Sequence, residues 1–344
     1  MNQDSWRQFL TNRGAHWDGR GVSHFAKQMI PHLDNTQIVL TDLSIYSAIV
    51  VTGKGARQFL QGQVTCDMAL VSSQQWQRGA CCNIKGRALF SFHCVEWTAT
   101  STESFLLILP TSTVEIALSH LKKYGVFARL QIERDNTIQL LGLIAEPALL
   151  SSQAGVDLND NLINVVQTNC KLLSLAGSRH VCIVALTGVE ACWTQLTAIA
   201  QPQGYSAWQL ASIRAGVAEV EAETSGEFIP QLLNFHLTAG ISFTKGCYLG
   251  QEVVARMAYK GTLKRHLRHA IVTTERQPSL NDPLFGDGNE QSIGNIVTAV
   301  KTDTDSFELL VVVTDADFDK DRVFLDRQKS RKLRFLSLPY AITK

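Results

Sequence analysis

Strand-like runs and amphipathic segments alternate from Gln37 to Ala215, and beyond Leu267 that alternation stops, leaving only short β-rich runs. A chain with this change of pattern needs two kinds of layer, helices packed on sheets and then sheet alone. Gln37–Thr41 and Ala48–Thr52 read as strands, and a short helix is expected through Arg57–Leu60. Arg87–Trp97 and Phe105–Leu109 read as extended runs. Ser112 with Glu115 three residues on forms a capping-box pattern for a helix that places Val114, Leu118 and Leu121 on one face and stops at Gly125. Val126–Ile132, Ile138–Ile144, Lys171–Leu175 and Val181–Leu186 resume as strands, with helices over Val189–Ala200 and Ala207–Ala215. This succession fits α+β layers of the split β-α-β kind found in ferredoxin-like units. The runs Ala270–Thr274, Ile293–Val300, Phe307–Val313 and Leu333–Leu338 are separated by Asn, Asp, Gly and Pro and predict a small antiparallel barrel. Residues 1–35, with Gly14, Gly19, Gly21 and three histidines, show no strong period; they are expected to form an extension that packs loosely or wraps the body, with regular structure starting after them. The expected divisions are therefore 1–35, 36–259 and 260–344.

At 344 residues and 45% hydrophobic content, the chain has enough apolar surface for two or three packed units. Its net charge of +1 argues against a protein held to nucleic acid by overall charge, while leaving room for a local basic patch. No apolar run approaches a membrane span, and Met1–Gln8 carries Asp4 and lacks the core of a signal peptide, so a cytoplasmic protein with no membrane contact is expected.

The eight cysteines show no C-x-x-C pair and no regular spacing, which excludes a disulfide framework or a zinc site as the reason for them. Cys94 and Cys182 lie inside apolar runs and are expected in the core. Cys247 differs: it sits in Lys245-Gly246-Cys247-Tyr248-Leu249-Gly250-Gln251-Glu252, between a cation and two glycines, followed by an amide and a carboxylate. The glycines permit a sharp turn around the thiol, and the positive charge of Lys245 would favour its thiolate. The plainer alternative is a glycine turn feeding a helix, with Cys247 as a small apolar filler. Cys81 and Cys82 are a distant second as reactive candidates.

This octapeptide resembles the YgfZ branch of the folate-binding, aminomethyltransferase-like proteins, whose signature K-G-C-Y/F-x-G-Q-E is met at every fixed position. The resemblance continues through Gly226-Glu227-Phe228-Ile229-Pro230-Gln231, Gly240-Ile241-Ser242-Phe243, Val254-Ala255-Arg256 and Lys260-Gly261-Thr262-Leu263-Lys264-Arg265. It extends upstream to Gln61-Gly62-Gln63-Val64-Thr65-Cys66-Asp67, Lys85-Gly86-Arg87 and Lys122-Lys123-Tyr124-Gly125-Val126-Phe127. It implies two interleaved α+β subdomains and a C-terminal barrel in a ring-like arrangement.

The resemblance also implies a tetrahydrofolate ligand. A flat pterin with a carboxylate tail needs an aromatic face, polar edge groups and a cation. Trp208 aligns with a tryptophan tied to folate binding in the family, and Tyr46 falls where a second would be; Trp208 is equally well explained as a core aromatic. Gln251, Glu252 and Arg256 are candidate polar groups. Where relatives carry a glutamate before Ala-Gly this chain has Arg214, which cannot accept a hydrogen bond; Glu219, Glu221 or Glu223 could substitute, or form a solvated face. True folate-dependent aminomethyltransferases carry aspartates where Phe90 and Ser91 fall, so glycine-cleavage activity is not expected. Arg256, Lys260, Lys264, Arg265 and Arg268, with His266 and His269, form a stripe without an acid that suits RNA, an anionic ligand, a partner protein or plain solvent.

The resemblance implies an accessory protein that supports iron–sulfur enzymes or cluster-assembly proteins and, through them, tRNA methylthiolation. Cys247 would be the reactive or cluster-contacting thiol, Lys245 its electrostatic partner, and Gln251 and Glu252 its polar shell; any cluster would be shared and transient, because clusters take about four protein ligands. A folate-dependent one-carbon transferase with Cys247 as nucleophile, and an RNA-binding module using the basic stripe, are the alternatives.

Overall fold

The computed structural model describes every residue except 1, 27, 98–101, 155–162, 168–169, 260, 289–290 and 343–344. The chain divides into two compact units, neither of them continuous in sequence. The first comprises Met1–Arg57, Ala69–Gln77 and His93–Ala211, the second Gln58–Met68, Arg78–Phe92 and Ser212–Lys344. The mixed α+β class expected from the sequence is what the structure shows. Among the described residues no helix is long and apolar enough to cross a membrane.

The first unit is built on a six-stranded sheet in the order Ile163–Gln167, Cys170–Leu175, Arg179–Ala185, Ile138–Ile144, Ile38–Asp42, Ala200–Gln203. All neighbours are antiparallel except the last pair, which is parallel. Successive side chains of a strand point to opposite faces, and here both faces are buried. Leu141, Leu143, Cys182 and Val184 enter one core with Trp6 and Trp193, while Leu140, Ile144, Val181 and Ile183 enter another with Trp208. Covering on both faces is why these strands are written as unbroken apolar runs. Strands Ser104–Pro110, Tyr46–Thr52 and Gln131–Asp135 add an antiparallel set, with Tyr46–Thr52 in the middle.

Four expectations are corrected here. The first residues are ordered parts of the core: Asn2 accepts the Ser5 N–H and caps the helix Gln3–Thr11, and Trp6 and Leu10, four residues apart, are buried. Strands Ala15–Trp17 and Val22–Phe25 follow. The Trp6 indole donates to Asp42 at 2.9 Å, a carboxylate that also receives Gln139 and Ser44 and is pushed upward in pKa by its burial. A nine-residue helix with two anchors is too short to show a period, which hid it. The helix Val114–Gly125 has Thr113 at its N-cap and no side-chain capping bond; the Thr113 hydroxyl instead donates back to the Pro110 carbonyl at 2.9 Å. Val126–Ala128 is a 3-10 turn ended by the left-handed Arg129, and the strand starts only at Gln131. The helix expected to reach Ala200 stops at Leu196, because Ala200–Gln203 pairs with Ile38–Asp42.

In the second unit the C-terminal strands form one antiparallel sheet in the order Val323–Phe324, Pro283–Gly286, Ser292–Asp303, Ser306–Thr314, Arg265–Thr273, Arg334–Leu336. Its two ends meet. Phe324 bridges Lys332, and the Leu333 N–H donates to the Val323 carbonyl at 2.9 Å, so the hydrogen-bond circuit closes into the expected barrel. Closure removes the exposed edges an open sheet would leave. Phe307, Leu309, Val311 and Val313, alternate residues of one strand, fill the interior with Ala270, Val272, Leu284 and Ile296.

On the other face of that strand Glu308 is buried, and it receives Arg214 at 2.8 Å and His269 at 3.0 Å. Burial pushes the Glu308 carboxyl upward in pKa, but the His269 and Arg214 bonds together outweigh it and hold the group down at about 2 against an ordinary 4.5. A carboxylate lowered in this way contributes stability that is complete above the unfolded pKa of 4.5 and is lost as pH falls through about 2. The contribution is on the order of 3 kcal/mol. Urea unfolding across this window should therefore show wild type losing that much more stability than Glu308→Gln, whereas parallel curves would mean that the carboxylate is not held in this way.

Candidate functional site

The Lys-Gly-Cys loop lies wholly within the second unit, and the segment that receives it is Gln61–Cys66, almost the whole length of a domain away in sequence. The Ser242 N–H donates to the Thr65 carbonyl at 2.9 Å, the Thr65 hydroxyl to the Gly240 carbonyl at 2.6 Å, and the Leu249 N–H to the Gly62 carbonyl at 3.1 Å. Between these stitches Lys245 is buried, 8% exposed, and its ammonium donates to the carbonyls of Gln61, Val64 and Cys66 at 2.7, 2.7 and 2.8 Å. An ammonium has three donors, and here each has one acceptor. Burial lowers the Lys245 pKa from 10.5 to about 8, with Cys66 and Asp67 pulling it back upward, so the clamp carries its charge at neutral pH. The same ammonium lies 5.1 Å from the centre of the Tyr248 ring, which is itself buried.

Cys247 follows two residues after this anchor and is exposed; the other seven cysteines are buried. Burial pushes Cys66 and Cys82 up to about 12 and raises Cys81 as well. With all three Lys245 N–H groups on carbonyls, none remains to bond the Cys247 sulfur. The structure thus assigns the lysine to holding the loop. The two glycines have different parts. Gly250 takes a left-handed φ of +82°, and a Cβ there would meet the Asn83 carbonyl oxygen at 2.5 Å. Gly246 is not left-handed, and a Cβ on it would meet nothing within 4 Å. The backbone needs glycine at 250 but not at 246.

Gln251 starts the helix Gln251–Tyr259, and its side-chain oxygen accepts the Tyr248 N–H at 3.4 Å, closing the turn. Glu252 and Arg256 are exposed on that helix, whose buried side is carried by Val254. The turn Asn83–Arg87 packs beneath it: Gly86, at φ +69°, leaves no room for a Cβ against Val253. The Ala88 N–H donates to the Phe228 carbonyl and the Gly226 N–H to the Ala88 carbonyl, both at 2.8 Å, and the Gln231 amide donates to the Val254 carbonyl at 2.6 Å. The segments that resemble the family at 61–67, 85–87, 226–231, 240–243 and 245–252 are therefore brought together. Arg78 belongs with them and escaped the sequence analysis. It is buried, donates to the Thr238 hydroxyl and the Ala218 carbonyl, and lies 3.9 Å from the Phe235 ring centre. A lone arginine in the apolar run Gln77–Cys82 was the available signal.

Trp208 and Tyr46 meet in the first unit, where the indole N–H donates to the Tyr46 hydroxyl at 3.2 Å. Trp208 is 1% exposed, with Gly142 against its six-membered ring and the Arg179 guanidinium 5.4 Å from its centre. A pterin stacks on an open face, and this indole presents none, so Trp208 fits a packing role; Tyr46 stays partly exposed. Arg214 is held by Glu308, as described above. The Glu221 side chain caps the 3-10 turn Ala222–Thr224, on which Glu223 is exposed. Phe90 is buried, and the Ser91 hydroxyl accepts the Val220 N–H at 2.9 Å, so neither position supplies a carboxylate. The basic stripe is divided: His266 and Arg268 both bond Asp315, His269 bonds Glu308, Arg256 and Lys264 are exposed, and Lys260 lies outside the described residues.

No family model matches the chain. Relatives named tRNA-modifying protein YgfZ do. That of Colwellia psychrerythraea is 32% identical over 325 residues, covering 92% of this chain and 98% of the relative. That of Klebsiella pneumoniae is 30% identical over 312 residues, covering 89% and 94%. Among solved structures, the glycine cleavage system aminomethyltransferase T of Bartonella henselae matches with a TM-score of 0.74 at 17% identity, over 97% of this chain and 96% of that one, which shows a shared fold. Near-complete coverage at this identity, together with the convergence of the resembling segments on one loop, establishes that the chain belongs to the YgfZ family.

Proposed function

We propose that this chain works in tRNA modification as a cytosolic accessory factor that supports the assembly or repair of iron–sulfur enzymes, methylthiolating ones among them, through the thiol of Cys247. The observation that carries the proposal is that one cysteine of eight is exposed, on a loop anchored by Lys245. A thiolate at such a position can attack a partner's disulfide or bind iron. Among the described residues no three metal-ligating side chains lie together, so a cluster handled here would be cargo whose remaining ligands come from the client or assembly protein. The fold supports tetrahydrofolate or a derivative as a further ligand. The closed face of Trp208 does not fit a stacked pterin. One-carbon transfer is the weaker alternative, because Phe90 and Ser91 bring no carboxylate to the place where the transferases carry theirs.

Two substitutions separate the thiol from its support. Cys247→Ser changes an exposed side chain and should leave the unfolding midpoint unmoved, yet abolish restoration of methylthiolated nucleosides in bulk tRNA of a strain lacking its own YgfZ protein. Full restoration at normal protein level would refute a role for the thiol. Lys245→Met leaves the carbonyls of Gln61, Val64 and Cys66 without their donor and should cost about 2–5 kcal/mol in urea unfolding, the range for losing bonds from a charged group at a buried site. A loss below about 0.5 kcal/mol, the size of an ordinary surface substitution, would show that the lysine is not an anchor.

A further inference from the structure

At the end of the helix Val114–Gly125, far in sequence from the Cys247 loop, Phe127 stands 94% exposed and Val126 67% exposed. Nothing in the surrounding pattern demands a phenylalanine in water, yet the backbone is shaped to hold it there. The 3-10 turn Val126–Ala128 follows the helix directly, and Arg129 at φ 52° takes the left-handed conformation that a non-glycine residue adopts at a cost. The base of this corner is firm. Leu130 packs against Gly53, where a Cβ would come within 2.8 Å of its side chain, so the Gly53-Lys54-Gly55 loop lies beside Arg129 and Leu130.

Exposed cations outnumber acids along this corner. Lys54, Lys122, Lys123 and Arg129 are all exposed, and no acid occurs between Glu115 and Glu133. The Lys123 ammonium lies 5.5 Å from the centre of the Tyr124 ring, which is itself 4.8 Å from the His120 ring. The neighbouring acids are Glu103, which accepts the Gly55 and Arg57 N–H groups at 3.1 Å, and Glu133, exposed on the strand that follows.

We propose that this corner is a docking site for single-stranded RNA, with Phe127 as the platform on which an unstacked base lies and the four cations tracking the phosphates. A lone exposed aromatic ring among cations suits a base, which offers a π-face and an adjacent negative charge. A protein partner held by apolar contact would need a wider patch than Val126 and Phe127 provide. A stacked duplex would keep its bases out of reach of the ring. The RNA reading does not depend on the role proposed for the Cys247 thiol.

The test is fluorescence anisotropy of the full chain with a fluorescein-labelled single-stranded RNA of about 12 nucleotides, within the span such surfaces cover. Phe127→Ala should weaken binding about tenfold, with the unfolding midpoint unchanged, and Phe127→Trp should retain it. Lys122→Ala with Lys123→Ala should make the plot of log affinity against log salt shallower by about 1.4, the slope for two phosphate contacts on a single strand. Cys247→Ser should bind as wild type, so that failure of the thiol proposal and failure of this one remain distinguishable. Equal binding by Phe127→Ala and wild type, or equal affinity for a fully duplexed RNA, would overturn the proposal. Displacement by polyglutamate as effective as by unlabelled RNA would assign the face to acidic proteins and overturn it as well.

Discussion

Three hydrogen bonds from one ammonium hold in place the loop that carries the exposed cysteine. Lys245 reaches across separations of 184, 181 and 179 residues to three carbonyls of a single turn. Carbonyls at a buried turn need donors, and one left without a donor costs about as much as a lost hydrogen bond. A neutral side chain could serve one or two of them. The lysine serves all three and brings a positive charge into a concentration of carbonyl dipoles, which is what makes burial of the ammonium tolerable. Once it is docked, the residues on either side are fixed, and Cys247 is carried to the surface by the backbone rather than by any contact of its own.

The surroundings reinforce that placement. Gly250 and Gly86 both take left-handed angles, and at each a Cβ would strike the opposing segment, so the turn Asn83–Arg87 and the start of the helix Gln251–Tyr259 approach more closely than side chains allow. Arg78 repeats the logic of Lys245 on a smaller scale, with a buried cation whose donors go to the Ala218 carbonyl and the Thr238 hydroxyl. The barrel closes its own hydrogen-bond circuit and holds Arg214 through Glu308. Arg214 is the base of an ion pair whose acid comes from a barrel strand.

Much of the fold was legible because its signals are local and repeated. Strands covered on both faces give apolar runs such as Ile138–Ile144, and alternate residues of Phe307–Val313 fill a barrel, so composition and period both pointed to the architecture. The misreadings share a cause. Lys245 was taken as an activator of Cys247 because the thiol is its neighbour in sequence, whereas its acceptors are backbone carbonyls, which have no signature in a sequence. Val126 and Phe127 have the composition of a strand, but the left-handed Arg129 makes them a turn, and that dihedral is invisible in residue types. Trp208 could be argued as a stacking platform or a core side chain, since a large aromatic suits both; Gly142, against which the ring packs, lies 66 positions away and decided the matter in the structure. The N-terminal helix has only Trp6 and Leu10 to declare it.

The Lys245 clamp leaves Cys247 at the surface while Cys66, whose carbonyl it holds, stays buried. This arrangement is tested by the rate of alkylation of each cysteine in the native protein at neutral pH, resolved by peptide mass mapping. A single fast adduct is expected at Cys247, with Cys66, Cys81 and Cys82 modified only on unfolding, and Lys245→Met should make Cys66 reactive under conditions where the chain remains folded. Comparable native rates at Cys247 and at those three, or an unchanged pattern in Lys245→Met, would contradict it.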